Sequence, residues 1–204
     1  MSSPVISIRN NFPQVISKIN QVGEQVGNRA MVRAINATMV QGRTAMARQI
    51  SQEFRVSVGT ARERLKVSRA STSGGGVRIV ASLEATRKGK GRSMNLIAFV
   101  TRGRVSKASA RRSGRADLAG QLQFQIKRAG GKKSIKGAFI ANQGRTVFVR
   151  KGRERLPIKA LNTIDIGQMF NTRRVNGVVR QVMLDRFEVN FSRELRAVLE
   201  GFAR

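Results

Sequence analysis

The chain has 204 residues, of which 40 are Lys or Arg and 11 are Asp or Glu, giving a net charge of +29 at pH 7. So large a positive excess indicates that the usual neighbour is a polyanion or an acidic protein surface. Cys and His are absent, which excludes disulfides, thiolate catalysis and Cys-based zinc sites and removes the usual general base near pH 7.

The composition also bounds the organisation of the chain. Hydrophobic residues make up 40% of it, enough for a packed core, and we assign residues 1–204 to a single domain. The first eight residues lack the features of a signal peptide, and no apolar run approaches the ~20 residues that cross a bilayer. We therefore expect no membrane contact and a product that is cytosolic or leaves the cell by a route other than secretion.

The N-terminal part, residues 12–54, predicts two helices. The first begins at Phe12-Pro13, because proline is tolerated in the first helical turn, and glycines predict a break between about 22 and 27. The second continues to about Glu53, with apolar residues at steps of three, four and seven that form one stripe. The stripe consists of Val32, Ile35, Met39, Met46, Ile50 and Phe54.

Residues 77–160 predict an antiparallel sheet, because short segments of alternating polarity are separated by short connections that contain glycine. The predicted strands are 77–82, 95–101, 121–127, 138–140, 146–150 and 156–160. A long C-terminal helix follows at 171–202. Its second half carries an apolar stripe of Leu184, Phe187, Phe191, Leu195, Val198 and Phe202.

One segment inside the sheet region lacks core-forming side chains. Residues 101–120 hold six basic residues against Asp117 alone, with too few apolar groups to offset the entropy of ordering. We predict an extended basic arm that stays mobile until it meets a partner. The fold class is therefore α+β: an antiparallel sheet of short strands packed with a long N-terminal helix and a long C-terminal helix, plus the arm.

The arm and a second basic turn at 129–136 form the predicted contact surface for DNA or a protein partner. Arg and Lys neutralise phosphates and release counterions without needing a fixed fold. Most Phe residues fall at core-like positions, so we expect contact with the DNA backbone and not with bases. The alternative is docking on an acidic protein, or solvation alone. The candidate residues are Arg102, Arg104, Lys107, Arg111, Arg112, Arg115, Lys132 and Lys133.

Catalytic chemistry has little support in the sequence. The 11 acidic residues are scattered, whereas a two-metal site needs several carboxylates that converge. Asp185 and Glu188 share a helix face, but such a pair among so many arginines is more often an intrahelical ion pair. No Gly-x-Ser-x-Gly or phosphate-binding-loop motif is present. We predict no catalytic residues, no cofactor and no metal ligands.

Several segments resemble the minor tail protein Z family of tailed bacteriophages. In the second half they are Lys136-Gly137-Ala138-Phe139-Ile140, Gly144-Arg145, Val147, Val149-Arg150 and Arg155-Leu156-Pro157-Ile158, followed by the long terminal helix. The first half agrees in layout through Ala34-Ile35-Asn36 in the long helix and Arg62-Glu63-Arg64-Leu65-Lys66 in a basic helix. The resemblance covers most of the chain and is weakest in the arm.

This resemblance implies a structural virion protein at the head-proximal end of a phage tail. Such a protein completes the tail for head joining and contacts or positions the DNA end, as a homo-oligomeric ring for which sixfold symmetry is favoured. The implied partners are other tail and neck proteins (the tail terminator and the head–tail connector) and viral double-stranded DNA in the channel. The implied location is the virion tail or neck, with host cytoplasm during assembly.

Two other functions fit the charge of the chain. One is a general, sequence-nonspecific nucleic-acid-binding protein, whose affinity would fall steeply with salt. The other is a basic adaptor that binds only acidic protein surfaces. Only the virion protein requires a stoichiometric place in a particle, so particle composition separates it from both alternatives.

Overall fold

The computed structural model describes residues 5–7, 23–71, 80–85, 93–102 and 105–202. It combines a long N-terminal helix, a long C-terminal helix and small antiparallel sheets of short strands, which confirms the predicted α+β class. The helices are α1 (Glu24–Glu53), α2 (Val58–Glu63), α3 (Lys107–Arg112), α4 (Ile166–Phe170) and α5 (Arg173–Phe202). The strands are β1 (Val5–Ser7), β2 (Leu65–Ser68), β3 (Ser82–Ala85), β4 (Met94–Asn95), β5 (Val100–Arg102), β6 (Gln123–Phe124), β7 (Lys133–Ser134), β8 (Phe139–Ala141), β9 (Thr146–Arg150), β10 (Ile158–Ala160) and β11 (Asn162–Thr163).

The chain divides into two compact units. The first contains the described residues of Met1–Gln49, Val58–Thr86 and Phe170–Arg204. The second contains those of Ile50–Ser57 and Arg87–Met169. The single tail-completion-type domain over residues 1–204 stays a prediction.

In the first unit, α1 and α5 pack as an antiparallel pair. The approach is close at Gly42, where an added Cβ atom would lie 2.7 Å from Met183 Sδ. The Asn190 side-chain amide donates to Thr38 Oγ1 at 2.9 Å and to Gln41 Oε1 at 3.2 Å. Thr38 and Asn190 are both buried, so the bond between them satisfies polar groups that water does not reach.

The apolar stripes predicted for the two long helices are largely their buried faces. On α1 the buried members are Ile35, Met39, Met46 and Ile50, and on α5 they are Phe187, Phe191, Leu195 and Val198. Leu184 departs from this prediction, because it is 42% exposed. Met183, one residue earlier and therefore about 100° around the helix, takes the buried position.

A three-stranded sheet in the first unit has the order β1–β3–β2. Leu65 lies opposite Ala85 and Val67 opposite Leu83, and three of these four side chains are buried. Of the strand predicted at 77–82, the described residues are 80–82, and among these only Ser82 belongs to a strand. Ala81, Leu83 and Ala85 continue the buried positions, and the strand occupies Ser82–Ala85. Residues 72–79 lie outside the described part of the chain.

The end of β2 is attached to α1 by one asparagine. Asn36 Nδ2 donates to the Ala70 carbonyl at 3.1 Å, and the Ala70 amide donates to Asn36 Oδ1 at 2.8 Å. This two-way bond completes the backbone pairing of a residue that follows the strand and is itself buried.

The second unit holds the sheets β5–β6–β7 and β10–β9–β8 and the pair β4–β11. The strands predicted at 138–140, 146–150 and 156–160 correspond to β8, β9 and β10, and those predictions are confirmed. The strand predicted at 121–127 is shorter, because its pairing in β6 covers only Gln123–Phe124.

The strand predicted at 95–101 is interrupted by a 3₁₀ turn at Leu96–Phe99. Asn95 causes the interruption, because its side-chain oxygen accepts from the Ile97 amide at 3.1 Å and thereby caps a new turn. The same oxygen accepts from the Val147 amide at 2.8 Å, and Asn95 Nδ2 donates to Asn162 Oδ1 at 3.2 Å. One side chain thus connects the turn, β9 and β11.

The sequence also predicts a short first helix and the absence of a membrane span. The short first helix predicted between residues 12 and 22 lies outside the described residues. Among the helices that are described, none is long and apolar enough to span a bilayer.

Candidate nucleic-acid interface

The described residues 105–120 do not form the extended arm that their composition predicts. The Val105 amide donates to the Gln121 carbonyl at 3.0 Å, and the Gly120 amide donates to the Val105 carbonyl at 2.8 Å. These two bonds close the segment at its base into a loop, which we call the basic loop (residues 105–120). Its interior contains α3 and a 3₁₀ turn at Ala116–Leu118.

A small set of side chains orders the basic loop. Val105, Ala110 and Leu118 are buried, although they belong to no alternation or helical stripe in the sequence. Ser106 is the N-cap of α3, and its hydroxyl accepts from the Ser109 amide at 3.2 Å. The Ser106 cap and the three buried side chains thus order the loop without the apolar stripe on which longer helices depend.

The cations of α3 point away from these contacts. Lys107, Arg111 and Arg112 are exposed, and the two arginines occupy the last turn of the helix. Positive charge at that end is favourable because the terminal carbonyls carry partial negative charge.

A turn after β6 positions the second group of cations. Gln125 Nε2 donates to the carbonyls of Arg128 and Gly130 at 3.0 and 2.8 Å, and the Gly130 amide donates to the Lys127 carbonyl at 3.1 Å. The chain then returns as β7, where Lys133 lies opposite Phe124. The turn that leads to Lys132 and Lys133 is therefore held by hydrogen bonds to its backbone carbonyls, two of which come from the Gln125 side chain.

The basic loop and this turn meet at a cleft of about 820 Å³, which we call the basic cleft. It is lined by Ser113, Arg115, Asp117, Leu118, Gln121, Gln123, Gly131, Lys132, Lys133, Ser134 and Lys136. Arg115, Lys132, Lys133 and Lys136 are all exposed, so four positive charges face solvent around one concave surface. Asp117 contributes one negative charge to the same lining.

The structure therefore brings together three of the eight predicted contact residues, Arg115, Lys132 and Lys133. Lys107, Arg111 and Arg112 lie on α3 and do not line the cleft. Arg102 ends β5, and its side chain is outside the described part, as is all of Arg104.

One cation of the cleft was missing from the predicted set. Lys136 lines the same cleft as Lys132 and Lys133. The sequence feature that could have identified Lys136 is its position in the same basic turn, residues 129–136.

The arrangement is suited to binding a chain of phosphates. Within the described residues, none of the four cations makes an ion pair, so their charge is available to an external anion. The cleft is wide and open, and Lys and Arg on such a surface neutralise phosphates without reading bases. Among the residues described, no group of three or more acidic side chains could hold a metal ion.

Comparison with known proteins gives one match. The family model described as prophage minor tail protein Z (GPZ) matches residues 12–201. No curated protein and no solved structure matches the chain.

Proposed function

Because the chain belongs to the prophage minor tail protein Z family of phage tail proteins, we propose that it completes the tail at its head-proximal end and contacts the DNA there. The family supports a structural role in the tail and a location in the virion. Its place next to the head, and its contact with the DNA end, are the proposed part.

The basic cleft is the observation that supports DNA contact most strongly. Within the described residues, four cations that make no ion pair line one concave surface, against one carboxylate, Asp117, and such a positive surface attracts the closely spaced phosphates of a duplex backbone. Contact of this kind is independent of base sequence, which suits a protein that must hold whichever DNA end enters the tail.

The proposal includes a homo-oligomeric ring around the DNA channel, sixfold by the family resemblance, between the tail terminator and the head–tail connector. In the described part of the chain, β8 and β10 pair only with β9, so this sheet has two unpaired edges. In a ring, a neighbouring subunit covers such edges, so the unpaired edges favour this form of assembly.

Location in the particle is the experiment that tests the tail assignment. Virions would be separated gently into heads and tails, labelled with a gold-conjugated antibody against this protein, and imaged. We expect label confined to the upper end of the tail. Protein that is absent from particles and remains in the lysate on nucleic acid would overturn the assignment and favour a general nucleic-acid-binding protein.

Charge removal in the cleft is the experiment that tests DNA contact. Lys132→Gln with Lys133→Gln should weaken duplex binding and reduce the slope of log affinity against log salt by about two, one for each lost phosphate contact. Arg180→Gln with Arg186→Gln is the matched control, because both arginines are exposed on α5 and lie outside the cleft. An equal loss in the two double variants would mean that net charge alone binds DNA.

A further inference from the structure

The β8–β9–β10 sheet presents its aromatic side chains on the face that is not buried. Side chains alternate between faces, so Val147 and Val149 of β9 lie on one face and Phe148 and Arg150 on the other. Val147 has no exposed surface, which identifies its face as the inner one, although Ile140 and Lys159 at the edges of that face are exposed. On the opposite face no residue of the three strands is buried, and Phe148 and Phe139 are each partly exposed.

Register places the two rings beside each other. Phe139 of β8 lies opposite Phe148 of β9, and their ring centroids are 6.1 Å apart with planes inclined by 30°. The Arg150 guanidinium lies over the Phe139 ring, 5.2 Å from its centroid. A cation at that distance is attracted by the negative face of the ring. We call these three side chains the aromatic platform.

Phe148 is partly exposed, and the residue beside it on β10 is small. Its register partner on β10 is Ala160, whose methyl group is too short to cover a phenyl ring. The next position on the same face of β10 is Ile158, which is 37% exposed and lies opposite Arg150. A flat group could therefore stack on Phe148 above Ala160, with Ile158 at its edge.

The surroundings of the platform are strongly basic. Residues 145–159 contain six Lys or Arg and one acidic residue, Glu154. Residues 151–159 are exposed without interruption. The ligand that fits this surface therefore carries negative charge at short intervals and offers flat aromatic faces.

We propose that the aromatic platform binds single-stranded nucleic acid. Unpaired bases stack on Phe148, which packs against Phe139, while Arg150 and the basic residues that follow it hold the adjacent phosphates. Duplex DNA does not fit in the same way, because its base faces are already covered by stacking on neighbouring base pairs. This inference extends the DNA contact of the proposed function but rests on other residues. An acidic, apolar protein surface is the competing occupant, and the density of cations beside π faces favours the nucleic acid.

The first test compares two probes of equal charge. Fluorescence anisotropy in about 0.15 M salt would measure binding of the full-length protein to an oligothymidylate of about 16 nucleotides and to an abasic strand of the same length. Stacking predicts that the oligothymidylate binds at least about tenfold more tightly, since each stacked base contributes substantially to affinity. Equal affinities would overturn the proposal, because they would show that the backbone alone is bound.

Variants then assign the preference to the platform. Phe139→Leu with Phe148→Leu keeps apolar volume but removes the π faces, and it should abolish the preference for bases. Ile140→Ala is the matched control, because Ile140 is 39% exposed on the inner-face side of the same strand. A double Phe variant that keeps the tenfold preference would place the site elsewhere and overturn the proposal. Far-ultraviolet circular dichroism confirms that each variant is folded.

Substitutions in the basic cleft and in the aromatic platform should have separate effects on DNA binding. Lys132→Gln with Lys133→Gln should reduce duplex affinity and leave the ratio between oligothymidylate and abasic strand unchanged. Phe139→Leu with Phe148→Leu should abolish this ratio and leave duplex affinity unchanged. Loss of the ratio with intact duplex binding refers only to the platform, and loss of duplex binding with an intact ratio refers only to the basic cleft.

Discussion

The sheets β1–β3–β2 and β8–β9–β10 have the same strand count and the same antiparallel pairing, yet they place their large side chains oppositely. In the first sheet, Leu65 and Leu83 point into a buried layer, and polar residues such as Glu84 occupy the other face. In the second sheet the largest side chains, Phe139 and Phe148, stay partly exposed while the smaller Val147 is buried. The first sheet therefore keeps its large apolar side chains in a buried layer, whereas the second leaves two aromatic rings partly exposed.

Substitution of one residue from each sheet should give the largest stability difference. Leu83→Ala should lower the free energy of unfolding by about 3 kcal/mol, because a fully buried leucine leaves a cavity. Phe148→Leu should cost less than about 1 kcal/mol, since a partly exposed ring is replaced by a similar apolar volume. Urea denaturation followed by circular dichroism measures both. Equal losses would mean that the aromatic face is as tightly packed as the buried layer.

The buried hydrogen bond between Thr38 on α1 and Asn190 on α5 gives the next largest expected effect on stability. Asn190→Ala should cost about 2 kcal/mol, because it removes the partner of the buried Thr38 hydroxyl. Thr38→Val with Asn190→Leu replaces both polar groups by apolar groups of similar shape and should recover most of that loss. A double variant as unstable as Asn190→Ala would show that shape, and not hydrogen bonding, limits this site.

Close packing at Gly42 predicts a somewhat smaller effect. Gly42→Val should destabilise the protein by about 1.5 kcal/mol, because the new side chain overlaps Met183. In combination with Met183→Ala the same valine should be tolerated, giving a coupling energy of about 1 kcal/mol in a double-mutant cycle. Additive losses would mean that the helices separate locally to admit the larger residue.

The basic cleft should be nearly neutral for stability. Lys132→Gln with Lys133→Gln should change the free energy of unfolding by less than about 0.5 kcal/mol, since both side chains are exposed and make no ion pair within the described residues. The same urea titration measures it, and the duplex-binding assay provides the contrast. A large stability loss would indicate that these lysines support the fold and would weaken their assignment to DNA contact.

The sequence was sufficient to predict features that depend on periodicity. The long stripe with Ile35 and Met46 repeats often enough to identify the helix and its phase, and the strand predicted at 146–150 coincides with β9. The antiparallel pairing also followed, because short connections leave little alternative.

Features that depend on distant partners could not be predicted in this way. The 3₁₀ turn after Asn95 begins with a local cap on the Ile97 amide, but the same side chain also bonds to Val147 and Asn162, partners that lie far along the chain. The basic loop closes through Val105 and Gln121, whose separation in sequence hides their pairing. Alternation also assigned Phe148 and Val147 to different faces without indicating which face is buried, and residue size would have favoured the wrong one.

The antiparallel packing of α1 on α5 has a consequence for synthesis on the ribosome. The contacts of Thr38 with Asn190 and of Gly42 with Met183 join residues that are 152 and 141 positions apart. The buried stripe of α1 therefore emerges long before its partner helix, whereas the residues of the second unit from Arg87 to Met169 are contiguous and can pair as they appear. Because domains tend to fold as their chain emerges, α1 should spend most of translation with Ile35, Met39 and Met46 uncovered, as a natural binding segment for a chaperone.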